Sequence, residues 1–270
     1  MSDYLAGKKV DEDRLASWVE QFHAQGFLFL ENVLPPDWCA ELRGDLDRAM
    51  ADREIVDRET DMNENRLGYQ LIPRMFENSR ANLRLFDLEP IVSFAEALVA
   101  EDCHVIHNNS FLTYPGGGLT TWHQDDDPHY VVTDGAAPTN VRLPVLFFTA
   151  NYYVTDVTER EHGGTEAIPG SHLFGAAPPE VMEGSEWEDQ IQYNLGKAGS
   201  VVMFNNQVWH RGGPNQSERT RCITQVTYAR RIVGHKYYPF MNYKMPEHVY
   251  EGSDDRKRRL LGFLPHGAYG

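Results

Sequence analysis

Leu15, Trp18, Val19 and Phe22 fall at i, i+3, i+4 and i+7, the spacing of one face of a helix, and Gly26 stands where that helix would stop. Phe27-Leu28-Phe29-Leu30 follows as a short buried strand. Pro35-Pro36 opens a second helix with Cys39, Leu42 and Leu46 on one face, and a third helical stretch runs from about 91 to 100. From about residue 103 the period changes. His104 to Tyr114 alternates loosely and ends at Pro115-Gly116-Gly117-Gly118, and Leu143 to Tyr153 is a nearly continuous apolar run, as in a strand buried on both faces. Strands over 200–209 and 221–229 bracket a turn-rich segment from Gly212 to Ser217. The pattern predicts a mainly β protein with flanking α-helices, its strands forming a sandwich or jelly roll. It reads as one domain over 1–270: a mainly helical part at 1–102, a strand core at 103–232 and a tail at 233–270 with no assigned structure.

Composition narrows the partners. The formal net charge of −15 argues against nucleic acid, since phosphate neutralisation needs a surplus of Lys and Arg, and against a polybasic membrane anchor. The first residues, Met1 to Arg14, are polar and mixed in charge, unlike a signal peptide, and no stretch approaches the length of an apolar membrane span. Three scattered cysteines, Cys39, Cys103 and Cys222, have no zinc-type spacing and make a disulfide framework improbable, so a reducing cytoplasm is expected. A monomer or homodimer is expected.

The chemistry is concentrated at Trp122-His123-Gln124-Asp125. In an extended strand, i and i+2 point to the same side, so His123 and Asp125 can converge on one metal ion. His210, after the apolar run Val201-Val202-Met203-Phe204, is the best third ligand. Two imidazoles and a carboxylate complete one face of an octahedron and leave three positions, two for a keto acid and one for dioxygen. On the strand after the turn, Arg221, Ile223 and Gln225 share a face, and a hairpin from His210 would bring Arg221 near the metal to grip a distal carboxylate. Arg219, two positions earlier, is not excluded by spacing. Each feature alone has a bland reading: a chance triplet, a satisfied strand-end histidine, a solvated arginine. Their combination carries the weight.

The sequence resembles the phytanoyl-CoA dioxygenase family of Fe(II)- and 2-oxoglutarate-dependent oxygenases along most of its length. The similar segments are Gln25 to Pro35, Trp122 to Asp125, Asp156-Val157-Thr158 to Gly163-Gly164, Pro169-Gly170-Ser171-His172, His210 through Gly213-Pro214-Asn215 to Arg221, and the closing Leu260-Leu261-Gly262 to Tyr269-Gly270. The resemblance implies a double-stranded β-helix (cupin-like) core, Fe(II) held by His123, Asp125 and His210, and 2-oxoglutarate held by Arg221. It implies hydroxylation of a C–H bond of a small molecule with O2, releasing succinate and CO2. Asp125 stands where halogenases of this class have Gly or Ala, which argues against halogenation; desaturation, ring closure and endoperoxide formation stay open. His172 reads as a loop-fixing residue. Gly212 departs from the pattern, because many relatives carry a Ser there beside the keto acid. A non-catalytic metal-binding or sensor protein on the same scaffold is the alternative; it would keep the three metal residues without needing Arg221, and retention of all four favours the enzyme.

Candidate substrate residues are Asp127 and His129 in the loop Asp126 to Tyr130, which must border the open face of the metal, with Asn108 facing the interior and Gln70 at the mouth. Bland readings stand beside them: a solvated acidic loop, a satisfied core amide. Trp209 reads as packing, and the aromatic run 237–241 as a cover for an apolar pocket or as core.

Overall fold

The computed structural model describes residues 4–52, 68–235 and 243–264. The aromatic run 237–241 and most of the closing segment lie outside them. In chain order the elements are α1 (Glu12–Gln25), β1 (Phe27–Leu30), α2 (Pro36–Ala51), β2 (Tyr69–Pro73), α3 (Arg80–Leu83), α4 (Ile91–Leu98), β3 (His104–Thr113), β4 (Phe147–Tyr153), β5 (Thr165–Ala167), β6 (Gln192–Tyr193), β7 (Val201–Asn205), β8 (His210–Gly212), β9 (Arg221–Ala229), α5 (Glu247–Tyr250) and α6 (Asp255–Leu260). α1 begins and ends as its sequence requires. The Asp11 carboxylate accepts from the Arg14 N–H at 2.8 Å, and Gly26 closes it with a left-handed φ of 83°.

Two antiparallel sheets make the core. The larger has the order β1-β7-β4-β9-β3-β2, and the smaller β6-β5-β8. This mainly antiparallel architecture is the expected jelly roll with flanking helices. Alternation along the large sheet sends one set of side chains to the helices and the other to the interior. Phe148, Tyr228 and Met203 join Phe22 of α1, Leu42 of α2 and Phe94 of α4 in one apolar core. There the rings of Phe22, Phe94 and Phe148 meet pairwise at 5.6 to 5.8 Å between centroids. Every residue of β4 is buried, as its unbroken apolar run predicts for a strand covered on both faces.

Two local expectations are corrected. The run from Val201 to Trp209 is not one strand delivering His210: β7 ends at Asn205, the chain turns, and β8 starts at His210 in the other sheet. β8 and β9 therefore do not form a hairpin; β8 pairs with β5, and β9 lies between β3 and β4. The segment around His123 and Asp125 is not a regular strand either. It makes a single antiparallel bridge, His123 to His210, before the polar Asp125-Asp126-Asp127-Pro128 run leaves the sheet.

Candidate metal centre

The His123–His210 bridge is what assembles the site. Each backbone N–H of the pair donates to the other's carbonyl at 3.0 Å, setting the two rings 4.4 Å apart. Asp125 is placed by its own N–H, which donates to the Asn206 carbonyl at 2.9 Å. Asp125 Oδ1 lies 3.9 Å from His123 Nε2 and 3.7 Å from His210 Nε2, and one ligand atom from each residue falls within 4.8 Å of the others. The other ring nitrogens are committed: His123 Nδ1 faces the Thr121 carbonyl at 2.8 Å and His210 Nδ1 the Val208 carbonyl at 2.9 Å. A carbonyl only accepts, so each Nδ1 carries the proton and each Nε2 offers its lone pair toward Asp125. Burial lowers the pKa of His210, opposed by the Asp125 charge and reinforced by His123, which keeps the ring neutral as a metal ligand must be. Two neutral imidazoles and one carboxylate on one side of an ion are the donor set of non-haem Fe(II) oxygenases.

A cavity of about 200 Å³ is lined by these residues and by Arg221. Parity of the strands lines it: Tyr69 and Leu71 from β2, Phe111 and Thr113 from β3, and Arg221, Ile223 and Gln225 from β9. Arg221 is 5% exposed. Its guanidinium donates to the Thr113 hydroxyl at 3.1 Å, its register partner across the sheet, and to the Gly213 carbonyl at 3.3 Å. Its Nε has no hydrogen-bond partner among the described residues. Desolvation pulls its pKa down to about 10, with Tyr153 and Glu166 acting against the fall. A buried cation with an idle donor on the lining of a cavity can seat a carboxylate.

The phytanoyl-CoA dioxygenase (PhyH) family model matches residues 22–223, a span that includes all four of these side chains. The chain belongs to the phytanoyl-CoA dioxygenase family. It is 26% identical to the ectoine dioxygenase of Nocardia farcinica over 221 residues, 72% of this chain and 70% of that protein. In fold it is similar to HygX of Streptomyces hygroscopicus, solved with nickel, 2-oxoglutarate and hygromycin B (TM-score 0.59, 15% identity, 86% of this chain and 90% of that one). It is also similar to the epimerase SnoN, solved with Fe3+, alpha ketoglutarate and nogalamycin RO (TM-score 0.59, 18% identity, 87% and 94%). The chain is an iron- and 2-oxoglutarate-dependent dioxygenase, with O2 as co-substrate.

Within this family member the remaining expected residues sort by place. Gln70 does not line the cavity; on β2 it faces away from Tyr69 and Leu71, and its side-chain oxygen accepts from the Tyr114 hydroxyl. Asn108 is a core amide on the helix side of β3, accepting from the Phe76 N–H at 2.8 Å and donating to Asn82 and to the Gln225 carbonyl. Asp127 lines a second, outer cavity that shares His123 and Asp125 with the inner one. His129 is on neither lining: its N–H donates to Gln207 Oε1 at 2.8 Å and its ring lies 3.4 Å from the Asn206 amide. Arg219 precedes β9, is exposed, and contacts His162 at 2.9 Å and the Asp156 carbonyl, outside the inner cavity. His172 is buried with Nε2 facing the His23 carbonyl at 3.0 Å, and the Trp209 indole donates to the Ala176 carbonyl at 2.9 Å.

Several site residues went unnoticed in the sequence. Asn151 and Thr165 line the inner cavity, and Asn151 Oδ1 is buried with no partner among the described residues. The signal was there: Asn151 is a polar side chain inside the apolar run Phe147-Phe148-Thr149-Ala150-Asn151-Tyr152-Tyr153. Asn206 and Gln207 clamp the loop beyond Asp125, with the Gln207 carbonyl accepting from Gln124 at 2.9 Å and its amide donating to the Asp127 carbonyl at 3.1 Å.

Proposed function

We propose that His123, Asp125 and His210 hold Fe(II), that Arg221 anchors the distal carboxylate of 2-oxoglutarate, and that the enzyme hydroxylates a C–H bond of a small-molecule metabolite. The convergence of two Nε2 lone pairs and a carboxylate on the lining of a cavity that a buried arginine also lines carries this reading. Fe(II) bound there supplies the oxidising chemistry of O2, with 2-oxoglutarate converted into succinate and CO2. The chain's own residues do the rest. Thr113 and the Gly213 carbonyl hold the Arg221 fork in place, Asn151 offers a further polar contact to the keto acid, and Phe111, Phe204 and Ile223 keep water out. Gly212 has room for the missing hydroxyl: a Cβ there would stand 3.5 Å from Arg221 and 3.5 Å from the Leu119 carbonyl, an ordinary contact.

The whole chain works as one oxygenase domain in this reading, as a monomer or homodimer without nucleic acid. Among the described residues no helix is long and apolar enough to cross a membrane. Cys39, Cys103 and Cys222 are free and buried, which fits a reducing cytoplasm. Asp127 contributes to the substrate side from the outer cavity, and His129 acts through the loop it braces. The test is Fe(II)-dependent release of succinate from 2-oxoglutarate by the wild type, beside titration of Fe(II) into His123→Ala and His210→Ala. Both variants should lose stoichiometric Fe(II) and turnover while keeping the wild-type circular dichroism. Turnover retained in either would remove that ligand from the set.

A further inference from the structure

We propose that Thr165 and Asn151 act together as a second anchor for 2-oxoglutarate: the Thr165 hydroxyl donates to Asn151 Oδ1, which turns Asn151 Nδ2 into the cavity as a donor to the keto acid. The inference rests on the proposed seat of 2-oxoglutarate at Arg221 and adds the neutral donor that assists it. Both side chains line the inner cavity together with Arg221 and the three metal residues, and both are buried. Neither residue is free to shift. Asn151 stands on β4 between two strands, paired with Val202 of β7 and Gln225 of β9. The Thr165 N–H donates to the Tyr153 hydroxyl at 3.1 Å, and its carbonyl accepts from the Asn194 N–H at 3.2 Å and the Asn194 amide at 3.0 Å. Only the Thr165 hydroxyl is left to act. Its ladder partner is Gly212, so β8 brings no hydroxyl of its own to this wall.

The chemistry of the ligand decides how the amide faces. Asn151 Nδ2 lies 3.4 Å from Thr165 Oγ1, a long contact, and Asn151 Oδ1 is buried with no partner among the described residues. The two ends of a carboxamide have the same shape, so half a turn about the last bond exchanges them. 2-Oxoglutarate carries two carboxylates and a ketone, and every one of its oxygens is an acceptor. Asn151 Oδ1 would meet it acceptor to acceptor and stay unsatisfied, which is costly in a buried site. With the amide reversed, Oδ1 accepts the Thr165 hydroxyl and Nδ2 offers its protons to the ligand. Every polar group of the pair then has a partner. Arg221 leaves room for such a donor. Its Nη1 already serves the Gly213 carbonyl and its Nη2 the Thr113 hydroxyl, while Nε is idle. A carboxylate has about four lone-pair sites, and a neutral amide fills one without burying a second cation beside Arg221.

The test uses protein loaded with Zn(II), which is diamagnetic and redox-inert, so that no turnover is involved. Calorimetric titration of 2-oxoglutarate should give a Kd at least about tenfold weaker in Asn151→Leu, the loss expected for one hydrogen bond to a charged group. Thr165→Val should weaken binding several-fold, and Thr165→Ser, which keeps the hydroxyl, should bind as the wild type does. Zn(II) affinity should be unchanged in all three. In 1H–15N spectra, the side-chain NH2 pair missing from Asn151→Leu should shift when 2-oxoglutarate is added to the wild type or Thr165→Ser, and much less in Thr165→Val. An unchanged Kd in Asn151→Leu, an NH2 pair indifferent to 2-oxoglutarate, or an equal loss of Zn(II) affinity, the mark of a merely structural role, would overturn the proposal. Arg221→Ala separates the two readings. Binding lost there but kept in Asn151→Leu would sink the second anchor alone; binding kept in Arg221→Ala, or absent from the wild type, would sink the seat itself and the proposal with it.

Discussion

A histidine ligates through whichever ring nitrogen lacks the proton, so the two carbonyls facing Nδ1 of His123 and His210 are as much part of the site as the rings. Neither carbonyl is visible in a sequence motif; the His-x-Asp spacing was, and it picked out His123 and Asp125, which the structure brings together with His210. Arg221 was legible for a similar reason, its parity with Ile223 and Gln225, and the structure separates it from Arg219 by burial. Arg221→Ala should therefore raise the KM for 2-oxoglutarate roughly 30-fold or more, from the loss of about 2–5 kcal/mol at a desolvated charge pair. Metal affinity should barely change, and Arg219→Ala, which removes an exposed contact to His162, should be near wild type. Steady-state succinate assays on the two variants check this, and the reverse ranking would transfer the role to Arg219. Two of the expected substrate residues, Gln70 and Asn108, do not line the inner cavity. The strand of Asn108 was foreseen, and in a pleated strand one step in number exchanges cavity for core; Gln70 lies on β2, a strand inside the stretch expected to be mainly helical.

At the scale of elements, the site depends on a crossing between sheets that the sequence concealed. The apolar positions on either side of Asn205-Asn206-Gln207 read as one run, because no Gly or Pro marks the turn that carries the chain from β7 into β8. The two adjacent asparagines were the only sign. Bringing β8 close to β9 without a hairpin demands a tight approach, and Gly163 supplies it. Its φ is +71°, and a Cβ there would sit 2.5 Å from the Gly213 carbonyl and 2.9 Å from the Arg221 guanidinium. Gly163→Ala should cost about 1–2 kcal/mol for the left-handed backbone alone, and more once Gly213 moves. Since Gly213 is also an acceptor for Arg221, the variant should weaken 2-oxoglutarate binding as well as stability. Urea unfolding and the KM for 2-oxoglutarate should shift together; a stability loss with unchanged KM would mean that Arg221 does not depend on this contact.

For the molecule as a whole, buried histidines set a limit on the acid side. Burial holds His172 and His235 down at about 4, each helped by a neighbouring histidine, and lowers His104 as well. Unfolded, these rings titrate near 6.5. Between that value and about 4 the unfolded chain binds more protons, so stability is full above roughly pH 6.5 and falls as pH drops toward 4. Each such ring gives a slope of up to about 1.4 kcal/mol per pH unit. Denaturant unfolding of the metal-free protein at pH 7 and pH 5 should show the loss, and His172→Gln should flatten it; an unchanged slope would clear His172 of the effect. The sequence disclosed the three longer helices and the long strands at this scale, but not the short strands β2, β5, β6 and β8 or the division of labour between the sheets. His210 belongs to the small sheet and His123 is bridged to it, while Arg221 stands on the large one. On the proposed assignment, Fe(II) would be held on the small-sheet side by His123, Asp125 and His210 and 2-oxoglutarate on the large-sheet side by Arg221, so the pair would act as a keystone between the two sheets. Cohesion of the fold would then be a function of cofactor supply. Calorimetry should find that Fe(II) and 2-oxoglutarate together raise the melting temperature by more than the sum of their separate effects, a purely additive result denying the keystone. At a hundredfold excess over Kd the gain from one ligand is about 2.7 kcal/mol, enough to make a starved enzyme measurably more prone to proteolysis than a loaded one.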